Sequence, residues 1–228
     1  ITRKVFLSLT GSLSLSLPFG GRFGGGRKID GALCSFLISS VMLSAQPKEW
    51  ENPSVNQLNR EPMHAHFVPY ASEKGALDKD VSEIRRYSLN GTWKFHFSKN
   101  PGSRPVSFYE DGYDITGWSD IQVPGSWELQ GFDAPIYTDT RYPFPPDPPY
   151  VPKDYNPVGS YKTTFTVPHT FNGHDVFLHF GGVESAFYCW VNGRFVGYSE
   201  DSRLSAEFLI STYLKQGENT LAVEVYRY

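Results

Sequence analysis

At 228 residues, the chain is long enough for one domain carrying long extensions. With 39% hydrophobic and 20% charged residues, it can bury a core and lacks the low-hydrophobicity signature of disorder. A net charge of -3, with no long run of Lys or Arg, argues against a nucleic-acid surface, so no nucleic-acid partner is expected. Aromatic residues reach 16%; such rings fill sandwich cores and also stack on sugars, and the core reading is preferred for any single ring.

Residues 1–28 begin without Met and run from Ser/Leu-rich to Gly/Arg-rich sequence with no periodicity that could pack. They read as a disordered or upstream extension outside the fold. Residues 29–45 form a candidate signal peptide. Arg27-Lys28 precedes an apolar stretch from Ala32 to Leu43, and small residues follow at Ser44-Ala45, although Asp30 interrupts the basic region. The stretch is shorter than the roughly 20 residues that span a bilayer, so no membrane span is expected. A periplasmic or secreted protein follows, with a cytoplasmic one as the alternative. Removal of this segment takes Cys34 with it. Cys189 then stands alone as a small buried hydrophobe, with no disulfide framework or cysteine metal cluster.

Residues 46–87 are polar, with scattered Pro and little alternation, and predict an extended arm lying on something else. From residue 88 to 228 the pattern is β. Thr92 to Phe97 alternates, with Trp93, Phe95 and Phe97 on one face. Asp120 to Val123 is a short strand stopped by Pro124-Gly125, and Pro143 to Pro157 is too Pro-dense for a central strand. Tyr161 to Val167, Val176 to Phe180 and Ser185 to Val191 follow as strands. Asn192-Gly193 then predicts a tight hairpin into Arg194–Tyr198. Phe208 to Leu214 reads as a short strand or a helical turn, and Thr220 to Tyr228 alternates with Leu221, Val223 and Val225 inward. The expected fold is all-β, a sandwich or jelly roll with an extended N-terminal arm. A start without Met and an end on a strand suggest a piece of a longer chain.

Six segments, in order, resemble the N-terminal domain of glycoside hydrolase family 2, and its long β-galactosidases in particular. They are Trp50-Glu51-Asn52-Pro53 with Gln57-Leu58-Asn59-Arg60; Ser88-Leu89-Asn90-Gly91-Thr92-Trp93; Val123-Pro124-Gly125-Ser126-Trp127 continuing to Asp133-Ala134-Pro135-Ile136-Tyr137; Tyr142-Pro143-Phe144 with Asn156-Pro157; Val183-Glu184-Ser185 through Asp201-Ser202-Arg203; and Gly217-Glu218-Asn219-Thr220. The likeness covers about Glu49 to Tyr228. The opening Trp-Glu-Asn-Pro and the Asp-Ala-Pro-Ile-Tyr stretch favour β-galactosidase over the β-glucuronidase and β-mannosidase branches.

The resemblance implies a retaining glycosidase that removes terminal β-D-galactosyl residues with two glutamates on a barrel beyond Tyr228. No catalytic residue is therefore expected in this chain, which should be inactive alone. Glu200 and Asp201 do not make such a pair, because neighbours on an extended segment point to opposite faces. Two positions match the family's sugar contacts from this domain. Asp201, after the hairpin strand, implies a galactose-subsite carboxylate that also ligates a sodium ion, against a bland role as a turn cap paired with Arg203. Asp139 stands where the family commonly has Asn, so it lacks the amide donor. Its substrate-contact role is balanced by an Asx-turn role or pairing with Arg141. Magnesium is expected only in the barrel.

The partners implied are a galactoside substrate, the chain's own downstream barrel and possible further copies of the chain in a homo-oligomer. The competing readings are a stand-alone carbohydrate-binding module and another family 2 specificity such as β-glucuronidase. The histidines, His64 and His66 in the arm and His96, His169, His174 and His179 beside core positions, suggest no site. The sequence also holds no nucleotide-binding loop.

Overall fold

The computed structural model describes residues 4–9, 49–135, 145 and 147–227. The candidate signal peptide at 29–45, Cys34 and Asp139 lie outside these residues. The first strand, β1 (Lys4–Leu9), falls inside the stretch set aside on sequence; it runs parallel between β7 (Asp175–Phe180) and β3 (Arg86–Ser88). Disorder over all of 1–28 is corrected to that extent, since a six-residue run suffices to occupy a sheet slot whose neighbours supply the ladder.

The segment read as an extended arm carries more local structure than polarity and scattered Pro suggested. It includes a two-residue strand, β2 (Gln57–Leu58), and one helical turn, α1 (Glu73–Asp78). Ser72 caps α1 by accepting the Gly75 amide, and Lys79 ends it in the left-handed conformation.

The remaining strands are β4 (Gly91–Ser98), β5 (Ser119–Val123), β6 (Val158–Thr166), β8 (Ala186–Val191), β9 (Arg194–Glu200), β10 (Ala206–Leu209) and β11 (Glu218–Tyr226). They form a seven-stranded sheet in the order β2-β9-β8-β11-β6-β4-β5 and a four-stranded sheet in the order β10-β7-β1-β3. The pairing within the large sheet is antiparallel throughout. The result is an all-β jelly-roll sandwich.

Alternation along the strands builds the core. Trp93, Phe95 and Ile121 on one side of the large sheet, together with Leu221, Val223 and Val225, meet Val176, Leu178, Phe180 and Phe208 of the small sheet. Phe180, Phe187 and Phe208 interlock between the layers, with ring centroids 4.6–6.2 Å apart. The β8–β9 hairpin turns through Asn192 (φ 51°) and Gly193 (φ 74°), the positive angles that a two-residue turn requires. Phe208 begins no helix. β10 ends at Leu209, and a single 3-10 turn over Ser211–Tyr213 follows, so both alternatives for that stretch occur in succession.

The outer face of the large sheet is also covered. Tyr109 stacks on Trp190 at 4.7 Å and 5°, and Trp50 of the arm stacks on Tyr226 at 4.1 Å and 24°. Trp50 also meets Tyr188 edge-on, while the Tyr188 hydroxyl donates to Glu49. Among the described residues no helix is long and apolar enough to cross a membrane. Cys189 is a free, fully buried thiol whose pKa burial pushes up.

Candidate functional site

The loop after β9 carries the chain from the large sheet to β10 in the small one. Such loops at the end of a rigid sandwich are where binding groups are mounted. Asp201 opens this loop with φ 85°, a left-handed conformation that short polar side chains tolerate. Its side chain is exposed, and its Oδ1 accepts the Arg203 backbone amide at 3.3 Å. The turn-capping contact considered on sequence is thus present, and it comes from the backbone of Arg203. Glu200 is half-buried, and its Oε1 accepts the Tyr198 hydroxyl at 2.6 Å, so the two neighbouring carboxylates have separate surroundings.

The arm frames the loop from one side. Glu200 N–H donates to Asn56 O at 3.0 Å, and β2 pairs Gln57 with Ser199 and Leu58 with Tyr198. Gly197 permits this approach: a Cβ there would lie 2.4 Å from the Phe208 ring and 2.6 Å from Leu58 O. Asn59, at φ 58°, then turns the chain and donates its amide to Val196 O at 2.9 Å. Arg60 places Nη1 2.8 Å from Ser199 Oγ and 3.4 Å from Glu200 O, with Nε 2.8 Å from Gln57 Oε1. Burial pushes the Arg60 guanidinium down from its usual range, and the Asp201 charge opposes that shift. Glu61 N–H finally reaches Glu207 O of β10 at 2.8 Å, so this short stretch spans the edges of both sheets.

Two other clusters were not visible in the sequence. Glu207, 8% exposed, stands opposite His179 in the β10–β7 register and bonds His179 Nδ1 and arm residue His64 Nε2, each at 2.9 Å. Burial pushes the Glu207 carboxyl up, but the hydrogen bonds and charges of His179 and His64 outweigh it and hold it below its usual range. His64 and His179, which suggested no site on sequence, therefore tie the arm to the small sheet. The signal available was an acidic residue between two core positions, Ala206 and Phe208.

At the other cluster, Arg227 Nη1 bonds Glu128 Oε1 at 2.9 Å and Asp133 Oδ2 at 2.7 Å. Both carboxylates are committed to this shared arginine.

As an exposed carboxylate, Asp201 could supply one hard-oxygen ligand to a monovalent cation. Among the described residues no group of three or more His, Cys, Asp or Glu side chains could hold a metal ion. The rest of a coordination shell would have to come from carbonyls, water or ligand hydroxyls. A separate recess of about 370 Å³ on the large sheet is lined by Lys94, Asp111, Asp120, Lys162 and several threonines, with none of the Asp201 loop. Its charges are committed internally: Lys94 pairs with Asp120 at 2.7 Å, and Lys162 bonds the carbonyls of Phe108 and Glu110.

The fold is an all-β jelly-roll sandwich with an exposed carboxylate, Asp201, on an end loop. Residues 86–228 match the family described as glycosyl hydrolases family 2, sugar binding domain, and the chain belongs to that family. It is 48% identical over 186 residues to a β-galactosidase of Priestia megaterium, covering 79% of this chain and 18% of that protein. It is 47% identical over 178 residues to a β-galactosidase of Halalkalibacterium halodurans, covering 76% and 18%. The chain thus spans about a fifth of the length of these relatives. A solved structure of Bifidobacterium dentium β-glucuronidase complexed with coumarin-3-O-glucuronide is 23% identical, with a TM-score of 0.45, over 60% of this chain and 19% of that one.

Proposed function

We propose that this chain forms the N-terminal domain of a retaining β-galactosidase and that Asp201 completes the galactose subsite from outside the catalytic barrel. The observation that carries the reading is the exposed Asp201 carboxylate, held at φ 85° where the chain crosses between the two sheets. The relatives at 48% and 47% identity, each named β-galactosidase, support the specificity. A carboxylate accepts two hydroxyl hydrogen bonds at once, which suits the vicinal hydroxyls of a sugar. Asp201 would orient those hydroxyls and ligate a sodium ion, which when bound supplies a fixed positive charge for further hydroxyl oxygens. Protonation of the leaving group and covalent attack belong to the barrel glutamates. Asp139 would be a second sugar contact, without the donor that an amide would offer.

The test is Asp201→Asn in the protein expressed from its complete reading frame. Loss of one charge-assisted hydrogen bond costs about 1.5–3 kcal/mol, or on the order of 10- to 150-fold in kcat/KM, with a weaker response to sodium. A lower Tm with unchanged kcat/KM and sodium response would assign Asp201 to turn capping alone.

A further inference from the structure

The Asp201 loop rests on one cation from the arm. Arg60 is anchored at Nε by Gln57 Oε1 at 2.8 Å, which fixes the plane of its guanidinium. From there Nη1 reaches Ser199 Oγ at 2.8 Å and the carbonyl of Glu200 at 3.4 Å, the two residues immediately before Asp201. Ser199 is 1% exposed, and its hydroxyl donates in turn to Glu200 O at 3.0 Å, so the contact clamps backbone that cannot relax into solvent. The arm backbone holds the same strand end, through Asn56 O to Glu200 N–H and Asn59 Nδ2 to Val196 O. The Asp201 charge acts on this half-buried guanidinium from the loop that Arg60 supports.

We infer that Arg60 is a positioning residue for Asp201, fixing the direction and charge environment of its carboxylate without touching the sugar. The inference rests on the galactose-subsite reading of Asp201. A carboxylate displaced by an ångström loses hydrogen-bond alignment, and misplacement of a contacting group lowers transition-state binding out of proportion to any loss of stability. The neighbouring cation also matters to ion affinity, because it contributes positive charge next to the carboxylate that would ligate sodium.

The experiment compares Arg60→Ala, Asp201→Asn and the double variant in the protein made from its complete reading frame. It reads kcat/KM for an aryl galactoside, the sodium concentration giving half-maximal activity, and Tm. Arg60→Ala should lower kcat/KM on the order of tenfold and shift the sodium midpoint. In the Asp201→Asn background it should add little, because its effect passes through the carboxylate. An equal loss in both backgrounds, or no loss in either, would overturn the inference. A neutral Asp201→Asn would instead remove the subsite reading on which the inference rests, so the two failures are distinguishable. Should Arg60→Ala not fold, Arg60→Lys and Ser199→Ala remove the forked contact more gently. Each should retain Tm while lowering kcat/KM several-fold and shifting the sodium midpoint, whereas unchanged kinetics and sodium response in both would overturn the assignment.

Discussion

Replacing Trp50 with Ala should loosen the arm before it melts the sandwich. Trp50 is 8% exposed, stacked on Tyr226 and edge-on to Tyr188. Burial of a large aromatic removes about 150–250 Å² from water. At about 25 cal/mol per Å² this gives roughly 4–6 kcal/mol as an upper bound, against about 3–5 kcal/mol for buried Trp→Ala changes. If all of it fell on global stability, Tm would drop by roughly 6–20 °C for a chain of this size. The arm, however, reaches the sheets through its own bonds at Asn56, Asn59 and Glu61. The loss therefore cannot exceed the docking free energy of that segment, beyond which the arm detaches and the core persists. Hydrogen exchange separates the two effects. The Glu200 and Tyr198 amides should exchange faster in Trp50→Ala at denaturant concentrations that leave β11 protected. A Tm change under about 2 °C with unchanged exchange at Glu200 would refute the anchoring role.

Three further outcomes are expected. Because the Glu207 carboxyl is held below its usual range, it contributes stability that is present above the unfolded value near pH 4 and is lost as pH falls through the folded value. Tm should therefore fall on acidification below about pH 4, and Glu207→Gln should flatten that limb; identical pH profiles for the two proteins would contradict it. The 228-residue chain alone should turn over no aryl galactoside, and activity above a control preparation would force a search for a local carboxylate pair. Export with a mature N-terminus near Gln46 should be visible by mass spectrometry, and an intact Ile29–Leu43 segment on cytoplasmic protein would refute it.

What the sequence revealed and what it hid divide by range. The hairpin at Asn192-Gly193 was legible because its turn angles are a property of two adjacent residues. The faces of β4 and β11 were legible because a period of two fixes which side chains share a layer. What the arm lies on was not legible, because its contacts are with distant partners: His64 meets Glu207 across 143 positions, and Asn59 meets Val196 across 137. No local pattern announces such contacts. Gly197 illustrates the limit well. It lies unremarked inside the predicted strand Arg194–Tyr198, yet its missing Cβ is what admits Leu58 to the sheet edge. At the candidate site, Asp201 was placed by resemblance to a motif, whereas the support from Arg60 depends on a fold that brings the arm back over β9. The Gln57–Arg60 segment was recognisable as a motif, but nothing in its residue types specified which strand end it would hold.

The central claim, that Asp201 faces the sugar, is tested most directly by a crystal structure of the protein from its complete reading frame, bound to a non-hydrolysed thiogalactoside with sodium present. The account predicts an Asp201 carboxylate oxygen within about 2.6–3.2 Å of a galactose hydroxyl. It also predicts a sodium ion on the same carboxylate, with Arg60 still bonded to Ser199. A sugar bound in the barrel with Asp201 turned to solvent, or bonded only to the Arg203 amide, would contradict it.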